Sequence, residues 1–118
     1  MSIISMLLEK AGVIAAGEYA YRGDRFSFKG ELSEEVARAT SIMCRASTMS
    51  MTMEGRMLGA FSSRTGLHPV RGWVARGPGR TLCVVTNIFC LINNEIGSEN
   101  EILRFMRENL ADESMDLV

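Results

Sequence analysis

Hydrophobic positions along this chain of 118 residues change their period several times, and each change marks an element. Ile4, Leu7 and Leu8 stand at helical spacing within Ser2 to Lys10, and Gly12 follows where a helix takes a left-handed C-terminal residue. This predicts a short first helix. Residues 13–20 and 25–29 read as strands, with Phe26 and Phe28 alternating against Arg25, Ser27 and Lys29 as in a strand with one wet face. Gly23 and Asp24 supply turn chemistry between them, which predicts a hairpin.

Ser33 is a candidate N-cap with Glu34 and Glu35 in the following turn, and neither proline nor glycine interrupts until Gly55. A long helix over about 33–58 follows. On a helical wheel of 100° per residue, Glu34, Arg38, Ser41, Arg45, Thr48, Thr52 and Arg56 form one narrow polar strip. The rest is mostly apolar or small. One stripe is Ile42, Ala46, Met49, Met53 and Met57, and a second is Val36, Thr40, Met43, Ser47, Met51 and Leu58. A helix lying on a sheet needs only an apolar arc of about 100°. One stripe is therefore expected to face the sheet, and the other to be covered by another part of this chain or by another chain.

Residues 59–69 contain two glycines and a proline and read as a long irregular connection. Three strands are expected at 70–76, 81–85 and 88–92, with Gly77-Pro78-Gly79 and Thr86-Asn87 as turns. The last two are apolar on both alternating sets, which implies a sheet covered on both faces. Ser98 to Glu101 is a capping box opening a final helix with Ile102, Phe105, Met106 and Leu110 on one side. The domain is expected to span 1–110, with 111–118 an acidic, frayed tail.

The short apolar helix running into Ala11 to Ala16, the Gly23-Asp24 hairpin and Leu32 to Ala37 opening the central helix resemble the roadblock and dynein light chain family. Ala16-Gly17-Glu18, Lys29-Gly30 and Met43-Cys44 are similar to a prokaryotic branch of it. The resemblance covers about 3–110 and implies an α+β, profilin-like fold in the order αββαβββα. The central helix would cover one face of a five-stranded antiparallel sheet and the two terminal helices the other. It further implies that two copies pair through the central helix and a neighbouring edge strand, placing Ile42, Ala46, Met49, Met53 and Met57, or the rival stripe, at the contact. Family members serve as scaffolds and as partners of small GTPases without chemistry of their own.

Composition changes this picture little. Apolar residues make up 47% and charged residues 23% of the chain, with a net charge of -1, which argues against a dedicated nucleic-acid or membrane-surface binder. The N-terminus lacks the positive region of a signal peptide, so a cytoplasmic location is expected. Charge is uneven along the chain: residues 55–94 carry five arginines and no acid, and residues 95–118 carry seven acids and two bases.

With one histidine, His68, and no carboxylate from Gly55 to Asn94, the groups needed for acid–base catalysis do not converge. Neither a metal site nor a bound cofactor is expected, because the three cysteines and the histidine have no ligand spacing. Gly72 to Arg80 is glycine-rich without phosphate-loop or dinucleotide spacing, and reads as a turn. Arg64, Arg71, Arg76 and Arg80 with Trp73 form a basic stretch, read either as a solvated sheet edge answering the acidic C-terminal helix or as a site for an anion or an acidic partner.

Three functional readings remain open. The first is a non-enzymatic homodimeric adaptor or scaffold that recruits another protein. The second is a small-ligand sensor whose pocket lies between sheet and helix, lined by Trp73, Cys83, Cys90 and the methionines. The third is a thiol carrier using Cys44, which requires an exposed thiol of low pKa.

Overall fold

The structure, a computed structural model, describes residues 2–22 and 25–110. The expected Gly23-Asp24 turn and the 111–118 tail lie outside the described residues. The elements run α1 (Ile3–Leu8), β1 (Val13–Tyr19), β2 (Phe26–Gly30), α2 (Glu34–Phe61), a short 3-10 turn (Ser63–Thr65), β3 (Gly72–Arg76), β4 (Arg80–Val85), β5 (Ile88–Asn93) and α3 (Glu99–Leu110). This is the α+β order expected from the sequence.

The strands form one antiparallel sheet ordered β2-β1-β5-β4-β3. Odd and even positions of β4 and β5 go to opposite faces, and both faces are buried. On one, Cys83, Val85, Cys90 and Ile92 pack with Ile4 and Leu7 of α1 and Ile102, Met106 and Leu110 of α3. On the other, Leu82, Val84 and Phe89 pack with Tyr19 and with Cys44 of α2. The doubly apolar strands are thus explained by helices on both sides.

Local signals set the element ends. Val36 N donates to the Ser33 side chain at 3.1 Å, and Ser5 N donates to Ser2 at the start of α1. Gly12 has φ +83°, and a Cβ there would stand 2.2 Å from Gly97 N, so only glycine fits. The long helix runs three residues beyond its expected end, through Gly59 to Phe61. Tertiary packing explains the extension, because the connection after α2 folds back onto it. A Cβ on Gly55 would meet the Leu67 carbonyl oxygen and Val70 Cγ2, each at 2.5 Å. Contacts of that kind outweigh the low helix propensity of glycine.

The orientation of α2 corrects the wheel reading. Its buried residues are Ala37, Ser41, Cys44, Thr48 and Gly55, so the sheet receives small side chains, two of them from the supposed polar strip. Neither apolar stripe faces the sheet. Burying hydroxyls is tolerated here because each is satisfied. Ser41 donates to the Ala37 carbonyl at 2.8 Å, and Thr52 does the same to Thr48.

Thr48 belongs to a hydrogen-bond chain whose direction is fixed by its ends. The Trp73 indole, which can only donate, gives its proton to Thr48 Oγ1 at 2.8 Å. Tyr19 donates its single phenolic proton to the Thr86 carbonyl at 3.1 Å. The 2.9 Å contact between Thr48 and Tyr19 is therefore donated by Thr48. Four elements of sequence, from β1, α2, β3 and the β4–β5 turn, are joined in one line. Among the described residues no buried side-chain polar atom lacks a partner.

Replacing Thr48 with Val keeps the shape but strands the indole N–H, and should lower stability by about 1–3 kcal/mol. Thr48→Ser should retain most of it. Urea unfolding followed by Trp73 emission measures both, and equal stability of the wild type and Thr48→Val would contradict the assigned chain.

Candidate functional site

Turning small side chains inward leaves the large ones outside. Ile42 is 46% exposed, Met49 57%, Met53 61% and Met57 59%. Ala46 is exposed among them. On the wheel this stripe lies roughly opposite the sheet-facing residues. Val36, Met43 and Leu58 of the second stripe are also exposed, while Thr40, Ser47 and Met51 are half-buried at its edge. Phe61 at the end of α2 prolongs the apolar surface. From Ile42 to Met57 the stripe runs about 22 Å along the helix axis. Flexible thioethers make such a surface adaptable to a partner's shape. Beside it, β3 pairs only with β4 among the described residues, leaving its outer edge open.

The basic stretch does not stay together in space. Arg64 sits in the 3-10 turn that follows α2, and Arg80 begins β4 after the Gly77-Pro78-Gly79 turn. Arg76 is engaged by Glu99 at the start of α3 through two parallel bonds, Nε to Oε1 at 2.6 Å and Nη2 to Oε2. Hydrogen bonding to Arg76 holds the Glu99 carboxyl below its ordinary value. Trp73 points away from these arginines, toward Thr48 beneath α2.

Arg71 instead joins residues that the sequence reading did not single out. With Trp73, Val74, Val84 and Val85 of the sheet and Asn100, Leu103, Arg104 and Arg107 of α3 it lines a cavity of about 590 Å³ beside β3. Asn100, Leu103, Arg104 and Arg107 recur at intervals of three, one and three, which places them on one side of a helix. That spacing was the available signal. The acidic balance of the C-terminal segment hid it.

The thiol reading does not fit the geometry, and the residues named for a sensor pocket do not come together. Cys44, Cys83 and Cys90 are free and fully buried. Burial pushes Cys44 up to about 12, the reverse of what a reactive thiol requires. Trp73 and the two strand cysteines belong to opposite sheet faces, and Met49, Met53 and Met57 point outward, so these residues do not line one pocket. His68 is exposed in the connection after α2. Among the described residues no group of three His, Cys, Asp or Glu side chains is placed to hold a metal ion, and no helix is long and apolar enough to cross a membrane.

A five-stranded sheet with one long helix on one face and two terminal helices on the other is the Roadblock/LC7 fold. The crystal structure of a Roadblock/LC7 domain from Streptomyces avermitilis matches with a TM-score of 0.57 over 92% of this chain and 94% of that one, at 17% sequence identity. Residues 3–108 match the family described as "Uncharacterized conserved protein (DUF2173)", and the chain belongs to that family. No curated protein matches it.

The buried thiols generate a pH dependence. Cys44 and Cys90 are raised from 9.0 to about 12 and Cys83 to about 11, all chiefly by burial. The unfolded chain loses these protons at lower pH than the folded one. Their contribution is therefore complete below the unfolded value and is lost as pH rises through the folded values. Unfolding free energy measured in urea from about pH 8 to about pH 11 should fall steadily, with the raised Tyr21 acting in the same sense. A flat profile would contradict the burial of these groups.

Proposed function

We propose that this protein is a non-enzymatic scaffold that works as a homodimer, two copies meeting through the outer face of α2 and the open edge of β3, and that the pair recruits a further protein. The observation that carries this reading is the apolar outer face of the central helix, where Ile42, Met49, Met53 and Met57 are each about half exposed. Contiguous apolar surface of more than a few hundred Å² is uncommon on soluble monomers and marks contact sites. A two-fold axis through the middle of the stripe sets the same residues against one another, so one face supplies both halves of the contact. The likeness of fold to a Roadblock/LC7 domain supports the same arrangement.

Sedimentation velocity of the full chain and of Met53→Arg tests this. The wild type is expected to sediment as a dimer. The variant should sediment as a monomer, because an unpaired guanidinium in an apolar contact is costly. Its thermal midpoint at low concentration should stay near that of the monomeric wild type, since Met53 lies outside the core. A monomeric wild type at high concentration, or a dimeric Met53→Arg paired with Met49→Arg, would refute the reading.

A further inference from the structure

The fold sorts the sulfur atoms of this chain by their access to solvent. Met106 is fully buried, whereas Met49, Met53 and Met57 stand outward on α2, each more than half exposed. Their spacing of four residues sets one thioether on each successive turn of the same face. Among the described residues the exposed methionines, these three and Met43, all belong to α2. The thiols are arranged in the opposite way. Cys44, Cys83 and Cys90 are free and buried, and burial pushes Cys44 and Cys90 up to about 12 and Cys83 up to about 11. Oxidants attack the thiolate, so these cysteines stay thiols near neutral pH and do not intercept an oxidant. Accessible sulfur is thus thioether sulfur, gathered on the face that two copies share.

We propose that this face is a redox-sensitive contact: sulfoxidation of Met49, Met53 and Met57 by a peroxide separates two copies without unfolding either. The inference rests on the pairing proposed above and names its regulation. The step is an oxygen-atom transfer. A lone pair on Sδ attacks one peroxide oxygen, the S–O bond forms as the O–O bond breaks, and the second oxygen takes the proton of the first and leaves as water. Sulfur is oxidised by two electrons and the peroxide is reduced by two. Peroxide reaches the thioethers in free copies, which dissociation supplies, and each modified copy is then withheld from pairing. The sulfoxide oxygen accepts hydrogen bonds, but Ile42, Ala46 and the neighbouring methionines carry no side-chain donor to meet it. A two-fold axis doubles the cost, because each pair buries the sulfoxides of both copies. Met106 lies out of reach in the core, so the fold survives. A dithiol-dependent reductase reverses the step, the oxygen leaving as water while two thiols become one disulfide. Leucine would fill the same face without this sensitivity.

Sedimentation velocity of the full chain before and after hydrogen peroxide tests the switch, with peroxide applied to dilute protein and removed by catalase before the chain is reconcentrated. Peptide mass spectrometry reads the sulfoxide at each methionine. The untreated chain is expected to sediment as a dimer and the treated chain as a monomer of unchanged far-ultraviolet circular dichroism, the dimer dissociation constant rising about tenfold or more. Methionine sulfoxide reductases with dithiothreitol should restore the dimer. A variant carrying Met49→Leu, Met53→Leu and Met57→Leu keeps an apolar face of similar volume and should stay dimeric through the same treatment. Should it fold or pair poorly, partly oxidised wild type gives the same decision once its dimer and monomer fractions are separated, because sulfoxide at the three positions should be enriched in the monomer. A monomeric untreated chain would refute the pairing itself and the switch with it. A dimer that persists with all three sulfoxides in place, equal sulfoxide in both fractions, or a leucine variant that dissociates to the same extent on treatment would overturn the switch alone.

Discussion

The line of hydrogen bonds from Trp73 through Thr48 and Tyr19 to the Thr86 carbonyl sets how the central helix lies on its sheet. It requires a threonine, not a methionine, at the position of closest approach. Once Thr48 faces the sheet, helical spacing brings Ala37, Ser41, Cys44 and Gly55 to the same side. These residues are small, so α2 sits close to the strands and gains its packing from Tyr19, Leu82, Val84 and Phe89 below. The same rotation sends Ile42, Met49, Met53 and Met57 outward. The apolar outer surface is therefore a geometric consequence of the polar anchor beneath the helix.

The anchor also holds the only described non-glycine residue of positive φ, Thr86 at 53°. Thr86 N donates to the Arg71 carbonyl, Tyr19 N donates to the Asn87 carbonyl, and the Asn87 amide returns a bond to the Tyr19 carbonyl. A conformation that disfavours a β-branched residue is thus held by bonds from both neighbouring strands. The sheet meanwhile separates two chemically different surfaces. One side carries α2 and its methionines, and the other carries α1 and α3.

Much of the fold was legible in the residues. Alternation at Phe26 and Phe28, the caps at Ser33 and Ser98, the left-handed Gly12 and the doubly apolar β4 and β5 each rest on a local rule that tertiary structure did not override. The orientation of α2 was not legible, because the wheel ranks positions by hydrophobicity and the sheet here selected by size and hydrogen bonding. Ser41 and Thr48 look like solvent positions until their partners Ala37, Trp73 and Tyr19 are known. The basic stretch failed for a related reason. Neighbours in sequence such as Arg71 and Arg76 separated in space, while Arg104 and Arg107 came from a helix whose net charge pointed the other way.

The central claim is that the outward methionines of α2 are covered by a second copy of the chain. Peroxide oxidation of individual methionines, followed by mass spectrometry across a range of protein concentrations, tests it at the residues concerned. Met49, Met53 and Met57 should oxidise slowly at high concentration and rapidly on dilution, while the fully buried Met106 stays protected throughout. Equal and rapid oxidation of the three α2 methionines at every concentration would contradict the account.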